Sequence, residues 1–409
     1  MNRGILILMI SVLPAMTLLS CEVLDDDIEK HVADEPDSTF VGLDEVAEVL
    51  SAIPLGSAQL SEVFSAVSSS SGNGYDEEYT MRNLFESPGL GVGDKDTRTV
   101  EAWQEPLRDL IEKQVYSMSS TKVSGGRVDP EAFLAALTKS DIQIYWPFSG
   151  DWDGESTPII TYDPEDGSAA NIGYRLVYND DGSGQVEEVI VDEEMAKGQP
   201  VWVVNRNDDA GYTSLEMLRR EDPAWGEGGG TIIVKPASAA ALKGTEDSFK
   251  TMILKDFTMK RNYDSWFAGA SEFFVKTGYV DDFTASTEAE LRLYNPMVTD
   301  FMIVVKRNQV GKPQPFNAIL MSDWSDQMSE CAFMITEDDG GTQTDWTAKA
   351  KVYVAGKSYG VEVTFPVNTK DDIVWRGSLS GKWLEANDDV VGHFGDVDLT
   401  FEIVENQIP

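Results

Sequence analysis

Apolar residues recur at helical spacing near the start of the globular part of the chain. Leu43, Val46, Val49 and Leu50 share one face of a helix that stops ahead of Pro54. Leu60, Val63, Phe64 and Val67 do the same over Ser57 to Val67, and the run Ser68 to Gly74 reads as a loop by composition. A longer helix is expected over residues 99–117. Another starts at Asp129-Pro130-Glu131 and runs through Leu137, with Asp129 as N-cap and Pro130 in the first turn. At Asp141 the period changes from helical to extended. Ile142 to Trp146 and Ile159 to Tyr162 read as strands. Tyr174 to Tyr178, Val186 to Val191 and Val201 to Val204 read as a three-stranded meander, its first link the hairpin turn Asn179-Asp180-Asp181-Gly182. Helices followed by antiparallel strands predict an α+β half over residues 41–225.

Gly226 to Gly230 and the Ala/Ser-rich stretch up to Gly244 mark a linker over residues 226–246. Beyond it, over 247–409, almost everything reads as strand and turn. Strands are expected at 249–259, 271–276, 291–294, 301–306, 332–336, 347–354, 359–365 and 399–404, a pattern that predicts an all-β, sandwich-like domain. No internal repeat is visible.

The first twenty residues have a different character. Arg3 precedes an apolar run from Ile5 to Leu19, too short and wrongly flanked for a permanent membrane span. This reads as a signal peptide over 1–20. Leu18-Leu19-Ser20-Cys21 resembles the lipobox of bacterial lipoproteins. The resemblance implies cleavage before Cys21, acylation of that residue and attachment to the membrane through its lipid chains. Residues 21–40 form an acidic tether beginning Glu22-Val23-Leu24-Asp25-Asp26-Asp27. That acidic run is similar to the export signal of Gram-negative lipoproteins that reach the cell exterior, which implies an outer-membrane location facing outward. A plain solvated linker is the other reading of the same run.

Composition narrows the chemistry. The 409 residues include 71 acidic and 32 basic side chains, for a net charge of -39. Such a field repels nucleic-acid phosphate and anionic lipid heads, so nucleic acid is not an expected partner. If Cys21 is acylated, Cys331 stands alone and no intrachain disulfide can form; its apolar strand context reads as a buried small hydrophobe. The two histidines, His31 and His393, cannot build a His-rich zinc site, and no Gly-x-Ser-x-Gly elbow is present. The glycine runs at Gly89 to Gly93 and Gly226 to Gly230 lack the context of a nucleotide loop.

Two features carry candidate chemistry. Acidic loops recur at Asp151-Trp152-Asp153-Gly154, Asn179 to Gly182, Asn207-Asp208-Asp209, Glu337 to Gly340 and Asn387-Asp388-Asp389. They suit calcium, which takes oxygen ligands, but each also reads as an Asp-Gly turn. None fits the helix-loop-helix calcium pattern. The second feature is the group Tyr145, Trp146, Phe148 and Trp152 beside Asp151 and Asp153. Aromatic platforms with carboxylates grip sugars, and the same residues make an ordinary core edge.

The stretch Tyr263 to Val275 looks like the first calcium loop and following strand of the C-two domain, a calcium- and phospholipid-binding β-sandwich. Phe333 to Gly340 is similar to that family's strand leading into an acidic third loop, and Asn387 to Gly392 to the segment that closes it. The resemblance implies calcium ligands at Asp264, Asp338 and Asp339. No cofactor is required by the sequence; calcium is the one it suggests. The expectation is a lipid-anchored, non-enzymatic binding or structural module with a carbohydrate or protein ligand. The alternative is a carbohydrate-active enzyme with paired carboxylates, centred on Trp146, Asp151, Trp152 and Asp153.

Overall fold

The computed structural model describes residues 41–86, 105–120, 129–179, 181–207, 212–221, 248–281, 283–386 and 390–407. The signal peptide, Cys21, the acidic tether, the 226–246 linker, the start of the helix expected from residue 99, Gly89 to Gly93, Asp180, Asp208-Asp209 and Asn387-Asp388-Asp389 lie outside the described residues.

The first part opens with helices α1 (Leu43–Ser51) and α2 (Ser57–Gly72). Strand β1 (Glu78–Thr80) and helix α3 (Met81–Phe85) follow. Then come α4 (Leu107–Ser120) and α5 (Pro130–Lys139). Asp129 caps α5, accepting from Glu131 N, with Pro130 in the first turn. Helix α2 runs through the serine run expected to be a loop. Tertiary bonds outweigh local propensity there: Ser70 is fully buried and donates to Glu78 Oε1, and Ser71 meets Lys306 Nζ.

Strands β2 (Ile142–Tyr145), β3 (Ile159–Tyr162), β4 (Ala170–Tyr178), β5 (Gly184–Asp192) and β6 (Val201–Arg206) join β1 in one sheet of order β1-β2-β6-β3-β4-β5. The hairpin β4–β5 forms as expected. The third strand of the expected meander does not pair with β5. Helix α6 (Glu193–Gly198) carries the chain back, and β6 inserts between β2 and β3, parallel to β3. Val201, Trp202, Val203 and Val204 are all completely buried, so this strand needs cover on both faces. Strand β5, with Glu187 and Glu188 exposed, is suited to a solvated edge. Helix α1 packs on β3, β4 and β6. Helix α7 (Leu215–Glu221) ends this part.

The second part is two facing sheets. One has the order β10 (Gln314–Trp324), β7 (Ser248–Met259), β16 (Val397–Gln407), β15 (Val390–Phe394). The other runs β13 (Lys357–Asn368), β12 (Gln343–Val354), β11 (Met328–Glu337), β8 (Ser271–Tyr279), β9 (Met297–Val305), with β14 (Asp372–Ser380) also on β11. Aromatic rings meet across the layers: Phe257 with Phe273 at 4.9 Å and Phe333 with Phe401 at 5.7 Å. The fold is thus helices and a mostly antiparallel sheet followed by a sandwich-like all-β region. Residues 291–294, expected as a strand, form a 3-10 turn at Glu290–Leu293, because Glu290 and Tyr294 bond locally to Ser286 and Thr284. Strands β10, β14 and β15 carry no clean alternation; β10 is broken by register shifts around Asn317, whose φ is 49°.

The two parts share core. Trp266 and Phe267, from the loop after β7, are buried against Tyr145, Val201 and Val203 of the first sheet. Tyr75 and Met217 pack with Phe274 and Met302. Each such side chain contributes roughly 1.5–3 kcal/mol on burial. Arg307, only 8 % exposed, pairs with Glu193 at 3.0 Å and adds a polar clasp.

Candidate functional site

The loop between β7 and β8 is folded by its own polar groups. Tyr263 N donates to Ser271 Oγ at 3.1 Å and closes it at the base. Ala268 N donates to Ser265, turning the chain. Gly269 takes a φ of 145°, and a Cβ there would lie 3.0 Å from Asp76 Oδ2. Asp76 and Arg307 hold this loop from two sides. Asp76 Oδ2 accepts from Ala270 N at 2.9 Å, and Arg307 Nη1 donates to the carbonyls of Asp264 (3.2 Å) and Gly269 (3.5 Å).

That scaffold brings Asp264 to the ends of two central strands. Glu272 is the second residue of β8 and Glu337 the last of β11; Asp338 N donates to the Glu272 carbonyl at 2.9 Å. One carboxylate oxygen from each of Asp264, Glu272 and Glu337 lies within 4.8 Å of the other two. Glu337 is only 1 % exposed, and its Oε1, like Asp264 Oδ2, is buried with no N–H or hydroxyl donor in reach. Burial raises the Glu337 carboxyl first, and Asp264, Asp339 and Asp372 raise it further. Asp264 is raised by burial, against the pull of a Glu337 proton, Arg307 and Ser271. The pair can therefore exist in two ways: sharing one proton, or with a cation between them.

The expected set Asp264, Asp338 and Asp339 is divided by this geometry. Asp338 is buried, but its Oδ1 is engaged by Gly340 N and Asn368 Nδ2, each at 3.0 Å, and it neighbours Asp371. Asp339 is exposed at the mouth. Burial, Asp264, Asp372 and Asp338 push its carboxyl up to about 6. Glu337 entered the sequence reading only as the first residue of an acidic turn and Glu272 only within the Tyr263 to Val275 stretch, neither as a ligand. A signal existed: each is a charge in an otherwise apolar strand run, Glu272 beside Phe273-Phe274-Val275 and Glu337 after Cys331 to Ile335.

The aromatic group lies elsewhere, in a cleft of about 180 Å³ between the 3-10 turn Ser149–Asp151 and the end of α6. All four expected residues, Trp146, Asp151, Trp152 and Asp153, line it together with Lys197 and Gln199. Their roles differ. Trp146 is 1 % exposed and belongs to the core, packed edge-on against Trp152 (5.3 Å), Trp202 (5.6 Å) and Phe64 (6.0 Å). Trp152 is the half-buried wall, its Nε1 donating to Ser156 O. Asp153 caps the following turn, accepting from Glu155 N and from the amide and hydroxyl of Ser156, which holds its carboxyl down to about 2. Asp151 is exposed. Phe148, at the rim, has a φ of 60°, a strained conformation for a bulky residue.

Cys331 is completely buried and burial pushes its thiol up to about 12, as fits an unreactive core residue. His393 pairs with Asp398 at 2.6 Å on the surface. No helix among the described residues is long and apolar enough to cross a membrane. No protein-family model matches the chain, and no curated protein or solved structure matches it either.

Proposed function

We propose that the protein is a lipid-anchored, outward-facing bacterial surface module that binds a ligand without chemically altering it. The cleft beside Trp152 is its ligand seat. The observation that carries this reading is the convergence of the half-buried Trp152 with the exposed Asp151, Lys197 (its ammonium paired with Glu194) and Gln199 in the lining of one small cleft. An aromatic face with a few polar groups is the chemistry that holds a sugar ring. The cleft lies below the roughly 300–1,000 Å³ of drug-sized sites, so one unit of a longer glycan is the fitting occupant. The leader, Cys21 and the acidic tether support the anchoring and the outward address.

Two observations favour binding over cleavage. Glycoside hydrolysis needs one carboxyl held protonated beside the scissile bond. Asp153 is held ionised by its turn instead. The carboxyls of Asp264 and the buried Glu337 are in mutual hydrogen-bond contact, whereas hydrolases separate theirs by about 5–10 Å across a cleft.

The test is a glycan panel probed with the full chain, followed by titration of any hit. Trp152→Ala is expected to weaken binding at least tenfold while melting like wild type. A panel without hits, or a hit indifferent to Trp152→Ala, overturns the cleft as ligand seat. For the anchor, Cys21→Ala is expected to leave the membrane fraction, and retention equal to wild type overturns it.

A further inference from the structure

We infer that Asp264, Glu272 and Glu337 form the protein side of a divalent-cation site, and that calcium is the ion they fit best. The inference does not rest on the Trp152 cleft, which lies on other elements. Three carboxylates from a loop and two strand ends converge within 4.8 Å. Proximity of acids alone would say little in a chain of net charge -39. The second observation is Glu337 itself. It is 1 % exposed, it is fixed at the end of a central strand, and its buried Oε1 has no hydrogen-bond partner among the described residues. Buried carboxylate oxygens are ordinarily met by an N–H, a hydroxyl or a cation. Among the described residues no N–H or hydroxyl donor meets that oxygen, nor Asp264 Oδ2.

The rest of the site is arranged for a guest rather than for self-sufficiency. Arg307, the cation nearest Asp264, spends its guanidinium on backbone carbonyls and on Glu193. It thereby locks the Asp264 loop in place and acts on the Asp264 carboxylate only through space. Asp339 and Asp372 stand outside and add negative potential at the entrance. An all-carboxylate donor set selects a hard ion; zinc and copper would favour histidine or thiolate, and neither is in the group. Ligands from three backbone segments tolerate calcium's flexible geometry better than the strict octahedron of magnesium.

The experiment uses the full chain in detergent, stripped with chelator and desalted. Terbium, a calcium-sized luminescent probe, is added, with Tyr263 next to Asp264 as sensitiser, and calcium is titrated in competition. Calcium is expected to displace the signal with a Kd of about 10⁻⁴–10⁻³ M, and magnesium at least tenfold less well. At millimolar calcium and matched ionic strength the melting temperature is expected to rise by about 2 °C over chelator. Glu337→Gln keeps the shape and can donate its amide to Asp264. It is expected to lose the calcium response while melting, in chelator, at or above wild type. Asp264→Asn is the second variant and should lose the response likewise. Three results would each overturn the inference: no calcium-displaceable signal in wild type, equal melting with calcium and chelator, or a calcium response that survives in either variant. The first two would leave a proton as the only occupant of the pair.

Discussion

Two buried acidic regions, one in each part of the molecule, have opposite hydrogen-bonding. Asp76, Glu77 and Glu78 are all buried at the start of the first sheet, and each is met by donors. Asp76 accepts from the amides of Glu77 and Ala270; Glu77 accepts from Ser149 Oγ; Glu78 accepts from Ser70 Oγ and from Asn207 Nδ2 at 2.6 Å. In the second region Glu337 Oε1 and Asp264 Oδ2 meet no N–H or hydroxyl donor among the described residues. Each region gathers three carboxylates, all buried except the half-buried Asp264. The difference teaches that acidity and burial do not distinguish a structural carboxylate from an ion ligand. The count of donors does.

The largest effect is expected from breaking the satisfied region. Glu78→Ala removes the acceptor for Asn207 and Ser70 inside a closed site. It should cost about 3 kcal/mol in urea unfolding, the scale of a broken buried, charge-assisted network. If Glu78→Ala costs no more than Glu337→Ala, the two regions are energetically alike and the contrast fails.

Next comes pH. Burial, and then the Glu77 charge, raise Asp76 to about 7 from an ordinary 3.8, against the pull of two amides and Lys306. A carboxyl with a raised folded pKa stabilises the fold fully below the unfolded value, near 3.8. That contribution is lost as pH rises through about 7. By this linkage wild type should lose at most about 2–3 kcal/mol between pH 5 and pH 8 through this one group. The groups facing Asp76 are Glu77, Lys306 and the Tyr145 phenol, the last pushed up by burial and then by Asp76 itself. Asp76→Asn should lower stability at pH 5 and flatten the slope, as read from urea unfolding at both pH values. An unchanged slope would mean that the two amides keep Asp76 ionised throughout.

A smaller change of opposite sign sharpens the comparison. In chelator, Glu337→Gln should raise stability by about 1 kcal/mol or leave it unchanged, since the amide can donate to Asp264 without the proton that the buried carboxyl must take up. A loss comparable with that of Glu78→Ala would show that Glu337 is as well satisfied as its counterpart.

Much of this architecture was legible in the sequence, and what escaped has physical causes. The α1 face and the α5 cap were readable because periodicity and capping are local. The sandwich strands with clean alternation were readable for the same reason. The position of β6 was not read, although its unbroken apolar run Val201 to Val204 was the signal for a central strand. The serine run of α2 is helical because Ser70 bonds to Glu78, eight residues on, and Ser71 to Lys306, a partner that no local window contains. Asp264 was legible as a candidate ligand, and the Trp152 group as a cluster. Glu272 and Glu337 were not, because they are brought to Asp264 by pairing between β8 and β11, strands about sixty residues apart in sequence. That Asp338 is spoken for by Asn368 depends equally on pairing that only the fold reveals.

The smallest effect is expected at the surface, where an acid is fully satisfied but not buried. Asp153 is tied by Glu155 N and by Ser156, and its carboxyl is held near 2 rather than 3.8. A depressed folded value stabilises the fold above the unfolded pKa and loses that contribution as pH falls through about 2. Asp153→Asn should therefore leave neutral stability almost unchanged, because water replaces what an exposed turn loses. Its slight cost should be present at neutral pH and fade as pH falls from 4 to 2, so that the wild-type and variant curves of a circular-dichroism titration converge in acid. The calcium response should be identical to wild type, since Asp153 is not one of the three carboxylates, Asp264, Glu272 and Glu337, that converge. A calcium response altered by Asp153→Asn would show that the ion is held by exposed Asp turns, and the contrast between met and unmet buried carboxylates would lose its functional meaning.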